Sequence, residues 1–349
     1  MFIKGLIFTD RGISAVFKID SQMLRFGVVL ILIVSIHCSR IELDQEWERF
    51  KSQYQKVYKH NEEVDRRAIW ENNVGVIERH NLEADLGLHT YRLGQNKYAD
   101  MSLEEFQQLM TGYERFKSQG GQQPLVLNVS TSDLPDTVDW RKDGYVTNVK
   151  DQAACGACWA FAAAASLEGQ HFRKTGQLVS LSEQNLVDCS RNGNLGCEGG
   201  HMALAYDYIR QNDGIDTEES YPYVAEQGPC KFKRENVGAT DIGFAAVISE
   251  SEDALKSAVA LEGPISTGLD SSPLTLMLYK SGVYSSPECT SSGLDHAVTV
   301  VGYGIQDNKD YWLLKNSWGT SWGEEGYMLL ARNDGNMCGV ATDATLPLV

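Results

Sequence analysis

Cys158 begins an apolar run, 158–173, whose composition is typical of a helix. The N-terminus of a helix presents unpaired backbone N–H groups and a positive potential, which favour a thiolate over a thiol. A thiolate is the form in which cysteine attacks an electrophilic carbon. A disulfide or an inert core position accounts for most cysteines in secreted proteins, so the helix start alone does not decide between these alternatives.

Three further residues could assist a nucleophilic thiol. His296 lies at the start of a β-like run, and a neutral imidazole can accept a thiol proton. The amide oxygen of Asn316 could hold one imidazole N–H and fix the orientation of the ring. Gln152, six residues before Cys158, could place a side-chain N–H beside an oxyanion. Histidines in cores and amides in turns are also common, so none of the three is convincing alone.

Residues 42–113 are predicted to be helical. Two stripes recur there at steps of three and four residues, and the second mixes polar with apolar side chains: Trp47, Phe50, Tyr54 and Tyr58, then Glu62, Arg66, Trp70, Asn73, Ile77 and Asn81. A polar stripe is usually solvated, but Trp70 and Ile77 favour packing against another element. Residues 114–133 are rich in Gln, Gly and Ser and predict a linker, which contains the glycosylation sequon at Asn128.

The pattern changes after residue 134. The runs 158–173 and 199–211 predict helices, whereas short β-rich runs separated by turn residues dominate from residue 263 onward. A helical half followed by a β half predicts an α+β fold.

Composition and charge bound the possible functions. The chain has 349 residues and a net charge of −16, of which residues 1–133 carry −2 and residues 134–349 carry −14. This acidic excess argues against a nucleic-acid-binding protein, which needs a basic face. Seven of the eight cysteines follow residue 150. Seven is an odd number, so one thiol remains if six pair, and that thiol is either inert or functional.

The N-terminal region predicts a secretory signal. Residues 26–36 form one short apolar run after Arg25, with small and polar residues behind it. The alternative is a buried strand. We take Met23 as the natural start, with 1–22 a doubtful upstream extension and 23–39 the signal peptide. Disulfides are then expected, because the protein would enter an oxidising compartment.

Three segments together resemble the papain-like cysteine proteases of the cathepsin L-like branch: QAACGACWAF, LDHAVTVVGYG and KNSWGTSWGEEGY. The second stripe, Glu62 to Asn81, is similar to the interspersed helical motif of that branch's prosegment. Gly94, Asn96, Tyr98 and Asp100 resemble its second motif, with Tyr where Phe is commoner. LPDTVDW resembles the start of a mature enzyme. The resemblance covers about 42–349.

The resemblance implies a papain-like two-lobed α+β fold, with a helical lobe and a β-barrel-like lobe, behind an α-helical inhibitory propeptide over 40–133. The mature protease would cover 134–349. Cys158 would be the nucleophile and His296 its base, oriented by Asn316 and shielded by Trp318. Gln152 and the backbone N–H of Cys158 would form the oxyanion hole. The implied reaction is endopeptidase hydrolysis through a thioester acyl-enzyme, without metal or cofactor.

Composition alone permits fifteen pairings of six cysteines. The family pattern implies Cys155–Cys197, Cys189–Cys230 and Cys289–Cys338, which leaves Cys158 unpaired. Three alanines depart from the family pattern. Ala153 stands where Gly is usual, and Ala157 and Ala162 stand where Ser is usual. None removes a reacting group, but Ala153 could shift its loop if the backbone there needs a positive φ.

The resemblance also implies a substrate cleft with an apolar specificity pocket. Its residues are Gly199, Gly200, His201, Met202, Gly268, Leu294, Asp295, Trp318 and Asp343. Asp343 is unusual for this branch. One hypothesis is that the pocket takes Leu or Phe and also tolerates Arg, which would pair with Asp343. The alternatives are that Asp343 is solvated at the rim or is paired with His201.

We expect protein and peptide substrates, the chain's own propeptide as inhibitor and cystatin-type inhibitors as partners. We expect a monomer in the lysosome, endosome or extracellular space, with no nucleic acid and no stable membrane insertion. The uncleaved chain would be inactive near neutral pH and mature near pH 4–5. Two alternatives share the same residues: a catalytically weak relative acting as a binding protein, and a peptide ligase that uses the same acyl-enzyme.

Overall fold

The computed structural model describes residues 4–5, 17–18, 42–113, 125–127 and 133–349. The predicted signal peptide over 23–39 and the sequon at Asn128 lie outside these ranges. The chain divides into two compact units, Met1–Arg67 and Ala68–Val349. Among the described residues, no helix combines the length and apolar character that crossing a membrane requires.

The first unit contains the two-residue strands β1 (Lys4–Gly5) and β2 (Phe17–Lys18), which pair with each other, and helix α1 over 42–53. Within this unit the ring of Trp47 stacks on Phe50 at 5.5 Å and on Tyr58 at 5.8 Å. The first aromatic stripe of the sequence therefore forms a small aromatic cluster. Helix α2 (His60–Asp85) begins in this unit and ends in the second.

In the second unit the mixed stripe of α2 is buried at Trp70, Asn73 and Ile77, as Trp70 and Ile77 suggested. Its two asparagines bond to backbone carbonyls. The Asn73 amide donates to the Ala99 carbonyl at 2.9 Å, and the Asn81 amide donates to the Leu93 carbonyl at 2.9 Å. The helical prediction for 42–113 is wrong over strand β3 (Tyr91–Leu93), which pairs with the mature part instead.

Helix α3 (Leu103–Met110) directs the chain from the prosegment toward the nucleophile. The Ser102 hydroxyl caps it by accepting the Glu105 N–H at 3.1 Å, and Phe106 and Met110 form its buried face. The helix ends at Met110, and its C-cap residue Thr111 is already extended.

The helical lobe is built on α4 (Cys158–Thr175), which is buried along most of its length. Gly176 ends α4 in the left-handed conformation, with φ 72°. The other helices are α5 (Glu183–Cys189), α6 (Met202–Asn212), α7 (Glu252–Glu262) and α8 (Leu274–Met277). Short 3-10 helices cover Gly196–Glu198, Arg234–Asn236 and Met337–Gly339.

Ten of the described strands form one sheet, in the order β3-β10-β13-β12-β11-β9-β14-β8-β4, with β5 beside β11. Their bounds are β4 Leu125–Val126, β5 Val138–Asp139, β8 Gly243–Ala246, β9 Ile265–Leu269, β10 Tyr279–Tyr284, β11 His296–Gln306, β12 Lys309–Lys315, β13 Tyr327–Ala331 and β14 Ala344–Leu348. Strands β6 (Ile215–Asp216) and β7 (Val237–Ala239) pair separately. The fold is α+β, as predicted.

The sheet register places the candidate imidazole. His296 is the first residue of β11 and lies opposite Leu269 of β9, so the ring sits where the central strand begins. Ala297, the next residue, belongs to the same apolar cluster as Cys158 and the first half of α4. The fold thus brings the start of α4 to the start of β11.

Candidate active site

Cys158 is a free, fully buried thiol at the first residue of α4. The six other cysteines of the mature part form Cys155–Cys197, Cys189–Cys230 and Cys289–Cys338, the pairs that the resemblance implies. The first disulfide and Gly156 fix the turn just before α4, where the Gly156 N–H donates to the Cys197 carbonyl at 2.9 Å. The thiol is therefore held on a rigid helix start.

The imidazole of His296 is held from one side. Its Nε2 lies 2.8 Å from Oδ1 of Asn316, and the same oxygen accepts the N–H of Ser317. Because an amide oxygen only accepts, Nε2 carries the proton and Nδ1 is the basic nitrogen. Within the described part of the chain, Nδ1 is buried without a hydrogen-bond partner. The site therefore contains one basic nitrogen, His296 Nδ1, that could accept a proton.

Aromatic rings cover the His296–Asn316 contact. The ring of Trp318 lies 4.5 Å from the His296 imidazole, and Trp322 and Phe106 meet Trp318 edge-on at 4.9 Å each. Phe106 belongs to the prosegment helix α3. Burial under these rings excludes water from a hydrogen bond that would otherwise compete with solvent.

Gln152 is oriented as an oxyanion donor would need to be. The Ser317 hydroxyl donates to its Oε1 at 2.7 Å, which turns Nε2 away from Ser317. Nε2 donates to the carbonyls of Met110 and Cys155, both at 3.0 Å. Met110 is the last residue of α3. Its carbonyl therefore accepts the Gln152 N–H that a substrate carbonyl would need during the reaction.

The prosegment crosses the site at Gly112 and Tyr113. Their N–H groups both donate to the Asp295 carbonyl, at 3.1 and 3.0 Å, and the Gly112 carbonyl accepts the Gly200 N–H at 2.8 Å. There is no room for a side chain, because a Cβ at Gly112 would lie 2.1 Å from the Gly156 carbonyl oxygen. The backbone amide of Gly112 also reaches the Cys158 sulfur.

Burial favours the neutral forms of Cys158 and His296 in the zymogen. Burial raises the pKa of the Cys158 thiol to about 12. The N–H of Ala297 lowers this pKa, whereas the negative charge of Asp295 raises it further. Burial lowers the pKa of His296 to about 4, although the bond to Asn316 favours its charged form. A thiolate–imidazolium pair is therefore disfavoured while the segment is in place.

A buried ion network ties Asn316 to α4. Lys315, its neighbour on β12, donates to the Thr147 hydroxyl at 2.9 Å and lies 4.0 Å from Glu168 of α4. Lys150 contacts the same Glu168 and makes two bonds to Glu183, at 2.7 and 2.9 Å. This network fixes the position of β12 relative to α4, because separating the two would leave a buried charge without a partner.

The pocket beside the thiol is filled by Tyr113. Its ring lies over Gly268 and beside Leu294. Its hydroxyl donates to Asp343 Oδ2 at 2.5 Å and lies 3.1 Å from His201 Nε2, while His201 Nε2 and Asp343 are 3.2 Å apart. Met202, at the start of α6, is buried in the same apolar cluster as Tyr113. Of the alternatives for Asp343, pairing with His201 is the one found.

Similarity to known proteins now decides the family. Residues 134–348 match the model of the papain family cysteine protease, and residues 47–106 match that of the cathepsin propeptide inhibitor domain. The chain belongs to the papain family of cysteine proteases. It is 50% identical over 315 residues to human cathepsin L2, covering 88% of this chain and 93% of the human protein. A cathepsin L-like peptidase of Aedes aegypti is also 50% identical, covering 87% and 93%.

Solved proforms of this family have the same fold. Digestive procathepsin L 3 of Tenebrio molitor larval midgut aligns with a TM-score of 0.81 and 39% identity, covering 88% of this chain and 99% of the insect protein. A stem bromelain precursor aligns with a TM-score of 0.81 and 37% identity, covering 88% and 99%. This protein is thus a papain-family zymogen with its own propeptide inhibitor domain.

Sequence reasoning missed three residues of the site. Gly112 and Tyr113 fell at the end of a region interpreted as helical, and a lone Gly-Tyr pair offers no periodic pattern. Ser317 follows Asn316 directly, but nothing in its type indicates that it orients Gln152. The Ser102 cap with Glu105 three residues later could have located α3, and hence where the chain leaves it.

Ala153 has the positive φ that its position suggested, 49°. A side chain at that φ is strained, so Ala153→Gly is expected to stabilise the mature protein by about 1 kcal/mol. That corresponds to a rise of about 2–4 °C in Tm. Ala154→Gly, in the same exposed loop but without a positive φ, is the matched control and should not raise Tm. Equal shifts in both variants would contradict strain at Ala153.

Proposed function

We propose that the mature enzyme is a cysteine endopeptidase in which Cys158 is the nucleophile and His296 the general base and acid. The observation that carries this is the unsatisfied Nδ1 of His296, whose other nitrogen is fixed by Asn316. The backbone N–H of the following residue, Ala297, reaches the Cys158 sulfur. A proton acceptor therefore lies beside Cys158, which has the one free thiol among the cysteines that the structure describes.

The proposed reaction proceeds in two steps. The thiol proton moves to Nδ1, and the thiolate attacks the scissile carbonyl to give an oxyanion that Gln152 Nε2 and the Cys158 N–H stabilise. The imidazolium then protonates the departing amine, which leaves a thioester. A water molecule, deprotonated by Nδ1, hydrolyses the thioester and releases the acid.

Titration of the thiol tests this proposal. The full-length protein is exposed to pH 4.5 and then treated with an epoxide that alkylates activated thiols. We expect one epoxide per processed chain, on Cys158, and loss of peptide hydrolysis in proportion. Acid-treated protein that neither hydrolyses peptides nor takes up the epoxide would refute the proposal.

We further propose that acid starts maturation. In the second unit, Lys97 of the prosegment pairs with Asp151, and Tyr113 bonds to Asp343. Loss of these two contacts would weaken the hold of the segment over Cys158. We also propose that the chain enters the secretory pathway, to reach lysosome, endosome or exterior, because its three disulfides need an oxidising compartment.

A buried carboxyl supports an acidic working environment. Asp241 precedes β8 and is 6% exposed. Burial raises its pKa to about 8, although the hydrogen bond from the Gly243 N–H lowers it. Its proton is bound more tightly in the folded than in the unfolded protein, so stability falls as pH rises from about 4 to about 8. The fall from one such group is about 1.4 kcal/mol per pH unit at most.

Asp241→Asn is therefore expected to reduce the loss of stability between pH 5 and pH 7.5, because asparagine resembles the protonated acid. The measurement is urea unfolding of the mature, epoxide-blocked enzyme at several pH values. Asp307→Asn, at an exposed carboxylate in the turn between β11 and β12, is the control and should leave the slope unchanged. An Asp241→Asn slope equal to wild type would show that Asp241 does not cause the loss.

Asp343 is proposed to let the pocket accept Arg as well as Leu or Phe at the second residue before the scissile bond. A guanidinium entering the pocket could form a charge-assisted bond with Asp343 in place of Tyr113. We expect Asp343→Ala to lower kcat/KM for the Arg substrate about tenfold and to leave the Leu substrate within about twofold. Equal effects on both substrates would contradict this role.

A further inference from the structure

The tyrosine that fills the pocket in the zymogen is bound by its hydroxyl as well as by its ring. The hydroxyl donates to Asp343 Oδ2 at 2.5 Å and lies 3.1 Å from His201 Nε2. Tyr113 is 5% exposed and His201 is 2% exposed, so both contacts are largely removed from water. A site that holds a hydroxyl this way distinguishes ligands that carry one from ligands that do not.

The tautomer of His201 suits this contact. His201 caps α6, and its Nδ1 accepts the Ala203 N–H at 3.0 Å. In the neutral ring the proton is therefore on Nε2, which points at the phenol oxygen and at Asp343. The phenol can accept from Nε2–H while its own O–H donates to the carboxylate. One hydroxyl thus satisfies both members of the pair.

The apolar part of the pocket has the length of a tyrosine ring. A Cβ on Gly268 would lie 2.9 Å from Cζ of Tyr113, the carbon that carries the hydroxyl, and 3.0 Å from Leu294 Cδ1. The absence of a side chain at Gly268 therefore lets the ring extend far enough for its hydroxyl to reach Asp343. A shorter side chain such as leucine would not extend to the carboxylate.

We propose that the mature enzyme selects tyrosine over phenylalanine at the second residue before the scissile bond, with His201 and Asp343 recognising the phenolic hydroxyl. This inference rests on the proposed endopeptidase function, because it assumes that substrates use the pocket that Tyr113 leaves. It differs from the proposed tolerance of Arg, which needs the charge of Asp343 alone and assigns no role to His201.

Two peptide substrates that differ only in Tyr or Phe at that residue test the inference. With active sites counted by the epoxide, wild type is expected to show a Tyr/Phe ratio of kcat/KM of about ten. Asp343→Ala should bring the ratio to about one, because the ratio compares two substrates on the same variant and cancels any effect that is common to both. A wild-type ratio near one would overturn the inference and leave the endopeptidase intact.

His201→Asn separates recognition from folding. Asparagine is a good N-cap and can keep the bond to the Ala203 N–H, but it is too short to reach the phenol. We expect this variant to keep the wild-type Tm and epoxide uptake, with a Tyr/Phe ratio of kcat/KM at least threefold lower. An unchanged ratio would remove His201 from the proposal. Absence of both turnover and epoxide uptake in wild type would instead refute the endopeptidase function.

The zymogen provides an independent readout. Tyr113→Phe keeps the ring over Gly268 and removes only the hydroxyl. We expect this full-length variant to mature several times faster than wild type at pH 5, as followed by gel and intact mass. Maturation at the wild-type rate would show that the Tyr113 hydroxyl does not contribute to binding of the propeptide. That result would contradict the inference.

Discussion

Replacing Cys158 by alanine is expected to lower kcat/KM for peptide hydrolysis by at least about 10⁴-fold. No other cysteine among the described residues has a free thiol to replace it. His296 and Gln152 would remain in place, but the imidazole would have no thiol to deprotonate. The measurement is hydrolysis of a fluorogenic peptide by protein that has been processed in trans by a trace of wild-type enzyme, later removed.

Folding must be shown to survive this change. Cys158 contributes one small buried side chain at the start of α4, and alanine is a favourable helix residue, so Tm should fall by only a few degrees. The variant should retain its full-length mass after a day at pH 4.5 and be cut to the mature size when wild-type enzyme is added. If Cys158→Ala processed itself at pH 4.5 without added wild-type enzyme, a residue other than Cys158 would be the nucleophile.

The local features of this fold were accessible from its sequence. The helix from Cys158, the β-rich second half and the packed stripe on α2 all follow from periodicity and turn residues. Register was not accessible in this way. Nothing in the spacing of Cys158, His296 and Asn316 says that β11 starts beside α4, because that proximity depends on long-range strand pairing with β9.

The site differs from its sequence-based picture in one physical respect. Sequence reasoning placed a thiolate at a helix N-terminus, where the local potential lowers the pKa of a thiol. In the zymogen the opposite holds, because burial outweighs that potential and raises the pKa of Cys158 to about 12. Desolvation is a property of the assembled cleft. It could not have been predicted from the residues around Cys158 alone.

The close passage of Gly112 leads to the second large effect. A single methyl group at this position would lie 2.1 Å from the Gly156 carbonyl oxygen and 2.6 Å from its carbon, far inside contact distance. Because Gly156 is fixed by the turn next to Cys155 and Cys197, the prosegment must move instead. Gly112→Ala in the uncleaved chain is therefore expected to show peptidase activity at pH 7 at least about tenfold above the wild-type zymogen.

Gly75 provides the matched control for this substitution. It lies in the same prosegment on α2, and a Cβ there would meet no atom within 4 Å. Gly75→Ala should keep the uncleaved chain as inactive as wild type. Intact mass before and after each assay shows whether the chain is uncleaved, and the double variant Gly112→Ala/Cys158→Ala should abolish the new activity. If Gly112→Ala and Gly75→Ala are equally inactive at pH 7, the close passage at Gly112 does not hold the zymogen closed.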